Sequence, residues 1–293
     1  MELANSNAET LAFNHEEEKN NLHQKDEKVI KDLVINMTRT EQRRNVTIIN
    51  GGRIFLLLFI LAIWEIGSGR FLDEFFVSSP SAIILGLYNE MIEGELLWHA
   101  QVTVFETISG YVLGTIVGLL LAFLLGLSDR FYKIFEPFVI AVNGIPRIAL
   151  APLFIIWFGI GITPKVVIAA LMVFFIVFMN TMSGIRGVNK QLIDISNLMG
   201  ARKIQLITKV ILPSSIPHIL SSLKIVVPMA MTGAIVGEFI SSQRGLGYFI
   251  SQSTAMMNIT RAFAGIFLLM VVLVVMNAIV SWAESKVTRW KNY

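Results

Sequence analysis

The stretch NGIPRIALAP, residues 143–152, sets one arginine between two prolines inside an otherwise apolar run. Arg147 falls one helical turn after Asn143, so the two polar side chains share a face. Pro146 and Pro152 each remove a backbone donor and disturb the turn before them. Carbonyls freed in an apolar segment need protein or water as partners, because lipid offers none. Such an arginine is either a structural or snorkelling residue, or part of the lining of a polar pathway. A later apolar run carries Lys224, Pro228, Gly233, Gly237 and Glu238. Lys224 and Glu238 are 14 residues apart, about 21 Å along a helix, and so cannot pair. Lys224 is expected to snorkel toward the nearer aqueous face. GEFISSQRGLGYFI then places a Gly-rich turn at Gly245 and Gly247, without the Lys-Ser/Thr ending of a phosphate loop.

Several chemistries are excluded. The chain has no cysteine, which removes disulfides and thiolate metal sites. Its four histidines are scattered and offer no metal-ligand spacing. No Ser–His, Asp–Asp or HExxH pair lies on the apolar runs, so an intramembrane hydrolase finds no catalytic residues. No nucleotide-binding motif is present, and energy for any pumping must enter through a partner. A secondary transporter or channel is the alternative class. It would need an ion-coupling site at mid-membrane, and the intramembrane charges Arg147 and Lys224 are cations, poorly suited to hold Na⁺ or H⁺.

The elements that position these residues follow from composition. Hydrophobic residues make up 54% of the 293, charged residues 15%, and there are 20 Phe, as in an all-α polytopic membrane protein. A net charge of +3 is too small to suggest nucleic acid. Residues 1–50 are polar, lack the apolar region of a signal peptide, and read as a largely disordered cytoplasmic tail. Val29, Leu33 and Met37 recur at helical spacing within it, enough for a short helix on the inner leaflet. The membrane domain is expected over 51–293, with six spans near 54–72, 103–127, 134–158, 166–185, 215–240 and 262–283. With the tail inside, the inner segments hold 14 Lys and Arg from Arg39 onward against 4 outside, which sets both termini in the cytoplasm. The second span repeats a small residue every fourth position at Gly110, Gly114, Gly118, Ala122 and Gly126. That face admits another helix closely, either within one subunit or between two.

The longest inner loop, 187–213, contains DISNLMGARKIQLITKVILP. It reads as two short helices, about 190–198 and 202–211, turning at Gly200, with Pro213 opening the next span. A plain connection needs only a few residues. Met199, Ile204, Leu206 and Ile207 give this one apolar anchors beside a basic rim, a docking surface facing the cytoplasm.

These residues resemble the EAA loop of binding-protein-dependent ABC-importer permeases, Glu-Ala-Ala-x3-Gly-x9-Ile-x-Leu-Pro. Asp194, Ile195 and Ser196 stand for the Glu-Ala-Ala, and Gly200, Val210, Leu212 and Pro213 keep the remainder. The resemblance covers about residues 54–290. PRIALAPLFIIWFGIGITPKVVIAAL, GEFISSQRGLGYFI and SSPSAIILGLYNEMIEGELLWHAQVT are similar to the nitrate/sulfonate/taurine/bicarbonate branch. Glu106 stands where many sulfonate-type members carry Arg, and SLKIVVPMAMTGAIVGEF is closer to members assigned to thiamine-pyrimidine or other heterocycles. The resemblance implies the type I (MetI-like) fold with six spans and a coupling helix, in a bacterial inner or plasma membrane. It implies a pore of two copies, two ABC ATPase subunits carrying ATP and Mg, and an external substrate-binding protein. Asp194, Ile195, Ser196, Met199, Gly200, Ala201, Leu206, Leu212 and Pro213 would then dock the ATPase. Asn143, Arg147, Asn180 and Glu238 are candidates for the path, and Gly245 and Gly247 for an outer gate or binding-protein contact. The cargo expected is a small polar anion, with a heterocycle as the alternative.

Overall fold

The computed structural model describes residues 49–71, 73, 75–92 and 94–287. Most of the proposed tail, including Val29, Leu33 and Met37, lies outside them. The chain divides into two units at Ile66/Gly67. The first contributes helix α1, Ile49–Gly67, whose side chains are apolar around its whole circumference, the pattern of a membrane span.

The second unit is helical throughout its regular structure. In order come α2 (Pro80–Ile92), α3 (Leu96–Gly126), α4 (Asp129–Asn143), a 3-10 turn (Arg147–Leu150), α5 (Ala151–Phe158), α6 (Ile162–Arg186) and α7 (Lys190–Leu198). Then follow α8 (Lys203–Leu206), a π-helical turn (Ile207–Ile211), α9 (Leu212–Ser241), α10 (Leu246–Ala255) and α11 (Ile259–Val287). Among the described residues, five helical stretches are long and apolar enough to cross a bilayer, and a sixth forms if α4 and the segment Arg147–Phe158 count as one. These two halves meet at 82°. Two prolines in one run predict a break, and Pro146 sits at the bend with extended backbone, ψ 104°.

The core is α6, held between α3 and α9. Small residues from both sides let the backbones close. A Cβ on Gly110 would strike Ala169, and one on Gly233 would lie 2.6 Å from the Cα of the same Ala169. Gly114 sits over Ala170 and Val173, and Gly118 over Phe174 and Val177. The four-residue stripe of α3 is thus spent on α6 of its own chain. Val173, Val177, Val226 and Ala230 fill the space where the three helices meet. At one end of the bundle α10 lays Leu246 and Phe249 against Leu96, Ala100 and Leu268. There α2 is tied to the start of α11 by Ser78–Thr260 at 2.8 Å and Glu90–Arg261 at 3.0 Å.

The loop helices differ from expectation in one respect. The first, Lys190–Leu198, is separate, but the second runs without interruption into the next span. Lys203–Ser241 is one helical body of 39 residues. Pro213 does not break it, because it falls in the first turn of α9, where its missing N–H costs nothing once the preceding π turn has shifted the hydrogen-bond register.

Candidate functional site

Three groups of residues carry chemistry. The first is the segment between α6 and α9. Asn189 caps α7 by accepting the Gln191 N–H at 2.9 Å. The far end closes when Gly200 N donates to Asn197 O and Ala201 N to Ser196 O, both at 3.0 Å. These are the two crossed bonds of a Schellman motif, and they require the left-handed backbone found at Gly200, φ +77°. A Cβ there would meet no atom within 4 Å. Glycine is therefore demanded by conformation and not by space. Arg202 N–H bonds the Gln205 side chain at 2.8 Å and starts α8. The turn so built displays Ile195, Leu198, Met199 and Ile204, with Leu198 87% and Met199 82% exposed. Asp194 is exposed beside them, Ser196 folds back on the Leu192 carbonyl, and Ala201, Leu206 and Pro213 are half-buried behind. Leu198 is the most exposed of the four, and the periodicity of 195–199 could have marked it.

The second group lies at the bend. Arg147 donates to Asn143 Oδ1 and sets its guanidinium 4.9 Å from the centre of the Phe175 ring on α6. Its Nε is buried without an acceptor among the described residues. Asn180 bonds the Ile176 carbonyl of its own helix at 2.8 Å instead of joining this pair.

The third group was not legible as a unit. Glu106 of α3 is 0% exposed, Lys165 of α6 4%, and Glu238 of α9 1%. Lys165 Nζ lies 2.6 Å from Glu106 Oε1 and 2.8 Å from Ser242 Oγ. Glu238 accepts the Thr103 hydroxyl at 2.7 Å and the Gly247 N–H at 2.5 Å. The Glu106 Oε2 atom is buried without a hydrogen-bond partner among the described residues. Cβ atoms on Gly245 or Gly247 would run into the Glu238 carboxyl, so the Gly-rich turn is shaped to admit it. The expectation that Arg147 and Lys224 are the intramembrane charges is therefore corrected. Lys224 is half exposed, 3.9 Å from Glu284, while Lys165, counted as a loop charge, is buried in an ion pair. Glu106 and Glu238 already have partners, so this cluster is a structural tie and not an open cation site.

A helical bundle of apolar spans with an exposed turn between two of them is the build of a polytopic membrane protein. The chain belongs to the family of binding-protein-dependent transport system inner membrane components, whose model matches residues 114–289. It is 32% identical to a putative aliphatic sulfonates transport permease protein of Bacillus subtilis, over 82% of this chain and 87% of that one. It is also 32% identical to a formylaminopyrimidine transport permease protein of Halalkalibacterium halodurans, over 80% and 93%. Among solved structures it is similar to an inward-facing methionine ABC transporter, at TM-score 0.54 and 20% identity, covering 66% of this chain and 95% of that one. The type I permease fold expected from the sequence is thereby shown.

Proposed function

We propose that two copies of this chain form the membrane pathway of an ATP-driven importer, with both termini in the cytoplasm. Two ABC ATPase subunits, carrying ATP and Mg, would seat the α7–α8 turn, and an external binding protein would deliver cargo at the α10 end. The observation that carries this reading is the turn itself: two helices locked at Gly200 to hold apolar side chains in water. Exposed Leu198 and Met199 cost free energy unless a groove covers them. α8 then transmits any displacement directly, because it is continuous with α9. The broken span is the proposed lining. α4 has no buried residue in the single chain, which suits a face shared with the second copy, and Arg147 there carries an unsatisfied Nε.

A guanidinium with spare donors favours an oxyanion such as an alkanesulfonate. The formylaminopyrimidine relative, equally identical, keeps a heterocycle as the second reading. Calorimetry on the cognate external protein with an alkanesulfonate and with a pyrimidine separates the two.

Docking is tested at Gly200. Gly200→Val places a β-branched residue in the left-handed region, where about 1–2 kcal/mol of strain is expected, and should strip the ATPase on purification while the chain still inserts. Gly200→Asn tolerates that backbone and should keep the ATPase. Retention of ATPase by both variants would sink the docking claim.

A further inference from the structure

The start of α10 is held by side chains of other helices. Gly245 N–H donates to His99 Nδ1 at 3.0 Å, Leu246 N–H to Thr103 Oγ1 at 2.7 Å, and Gly247 N–H to Glu238 Oε2 at 2.5 Å. A helix N-terminus leaves such donors orphaned, and the residue before the helix usually supplies the cap. Gly245 has no side chain with which to do so. His99 and Thr103 come from α3 and Glu238 from α9. The cap therefore ties α10 to two spans at once, and Thr103 links its members by donating to Glu238.

His99 is the member whose proton decides the geometry. A ring nitrogen that accepts a backbone N–H carries no proton itself, so the ring is neutral with its proton on Nε2. An imidazolium has donors at both nitrogens and would face the Gly245 N–H donor to donor. The groups around the ring come from five elements. Glu95 precedes α3, with its carboxylate 3.8 Å from Nε2. Tyr248 and Phe249 of α10 pack on the ring. Arg244 of the α9–α10 turn, Arg261 of α11 and Glu90 of α2 complete its charged surroundings. Arg261 and Glu90 are already paired with each other. Beyond Thr103 lie Glu238, Glu106 and Lys165.

We propose that His99, Thr103 and Glu238 form a proton-sensitive latch on α10. With His99 neutral, α10 is seated across the ends of α3 and α9. Protonation of His99 from the adjoining aqueous phase releases the Gly245 N–H, and with it the first turn of α10. The inference rests on the outer placement of α10 given under the proposed function.

A chain without cysteine makes the test direct. Ser253→Cys puts a thiol on the buried side of α10, and Thr254→Cys puts one on its exposed side. Labelling of each by a membrane-impermeant maleimide is measured on the full-length protein in vesicles. The ratio of the two cancels the pH dependence of thiol reactivity. From about pH 7.5 to about pH 5.5, the range in which histidine titrates, the ratio should rise by up to about tenfold per pH unit, the limit for one linked proton. In the His99→Asn background the amide oxygen takes the Gly245 N–H without titrating, and the ratio should stay flat. Thr103→Val removes the acceptor of Leu246 N–H and should raise the ratio already near neutral pH. A ratio insensitive to pH with His99 present, or an equal rise with His99→Asn, overturns the latch. Labelling of Thr254→Cys only from the side of the chain termini would overturn the orientation, a separable result.

Discussion

Lys165 balances two carboxyl groups that have no water to fall back on. Its ammonium bonds Glu106 directly, and Glu238 is buried on the neighbouring helix. Removing the cation alone strands buried negative charge, at about 3–5 kcal/mol by the usual cost of breaking a buried pair. Lys165→Met should therefore lower the thermal midpoint of the purified protein by several degrees. Lys165→Met with Glu106→Gln removes both charges of the pair and should recover most of that loss. Failure of the double variant to recover would mean that Lys165 acts by packing and not by charge. At Arg147 the expectation differs, since its Nε has no acceptor to lose. Arg147→Ala should leave assembly intact and abolish uptake of an alkanesulfonate into reconstituted vesicles, and normal uptake would make the residue structural. The pairing of Glu106 with Lys165 could not be read from sequence, because 59 residues separate them and Lys165 borders a Gly-Pro turn that looks like loop. A signal was nevertheless present. A lone acid in a long apolar helix must find a partner, and Glu106 is such an acid.

At the scale of elements, hydropathy made the existence of the apolar helices legible, since about 20 apolar positions have few alternative explanations. Their ends were missed by up to 12 residues, as where the expected 215–240 span begins at Lys203. The small-residue stripe of α3 was legible as a face, but periodicity carries no information about which helix fills it. The contacts of Gly110 with Ala169, Gly114 with Ala170 and Gly118 with Val177 place α6 there. Gly114→Leu would drive a side chain into the Ala170 carbonyl and Val173, whereas Val112 is exposed on the opposite side. The first change should prevent recovery of monodisperse protein by detergent gel filtration, and Val112→Leu should be neutral. Equal elution of the two would remove the stripe from the core. The 82° bend and the merger of α8 into α9 were beyond sequence reasoning for a common reason. Prolines announce a weakened hydrogen-bond ladder, but whether it bends sharply or is bridged by a π turn depends on the neighbouring helices.

At the scale of the whole chain, one helical body connects the two ends where partners are proposed to act. Lys203–Ser241 spans 39 residues, about 58 Å at the helical rise. It begins in the displayed turn, passes beside α6 at Gly233, and grips the first turn of α10 through Glu238, one turn before its end at Ser241. A rigid body of this kind moves its far end when its near end is displaced, with no chain of side-chain rearrangements required. One weak point is the π turn at Ile207–Ile211, whose ladder is out of α register and which holds no buried residue. Replacing Thr208 and Lys209 together by glycine should soften that point by about 1 kcal/mol per residue without touching the apolar side chains that dock. The ATPase should still copurify and still hydrolyse ATP. Cargo moved per ATP should fall several-fold, because displacement of α8 would be absorbed at the hinge before it reached α9. An unchanged ratio of cargo to ATP would show that force travels through α7 and α6 instead, and that the continuity of α8 with α9 is only architectural.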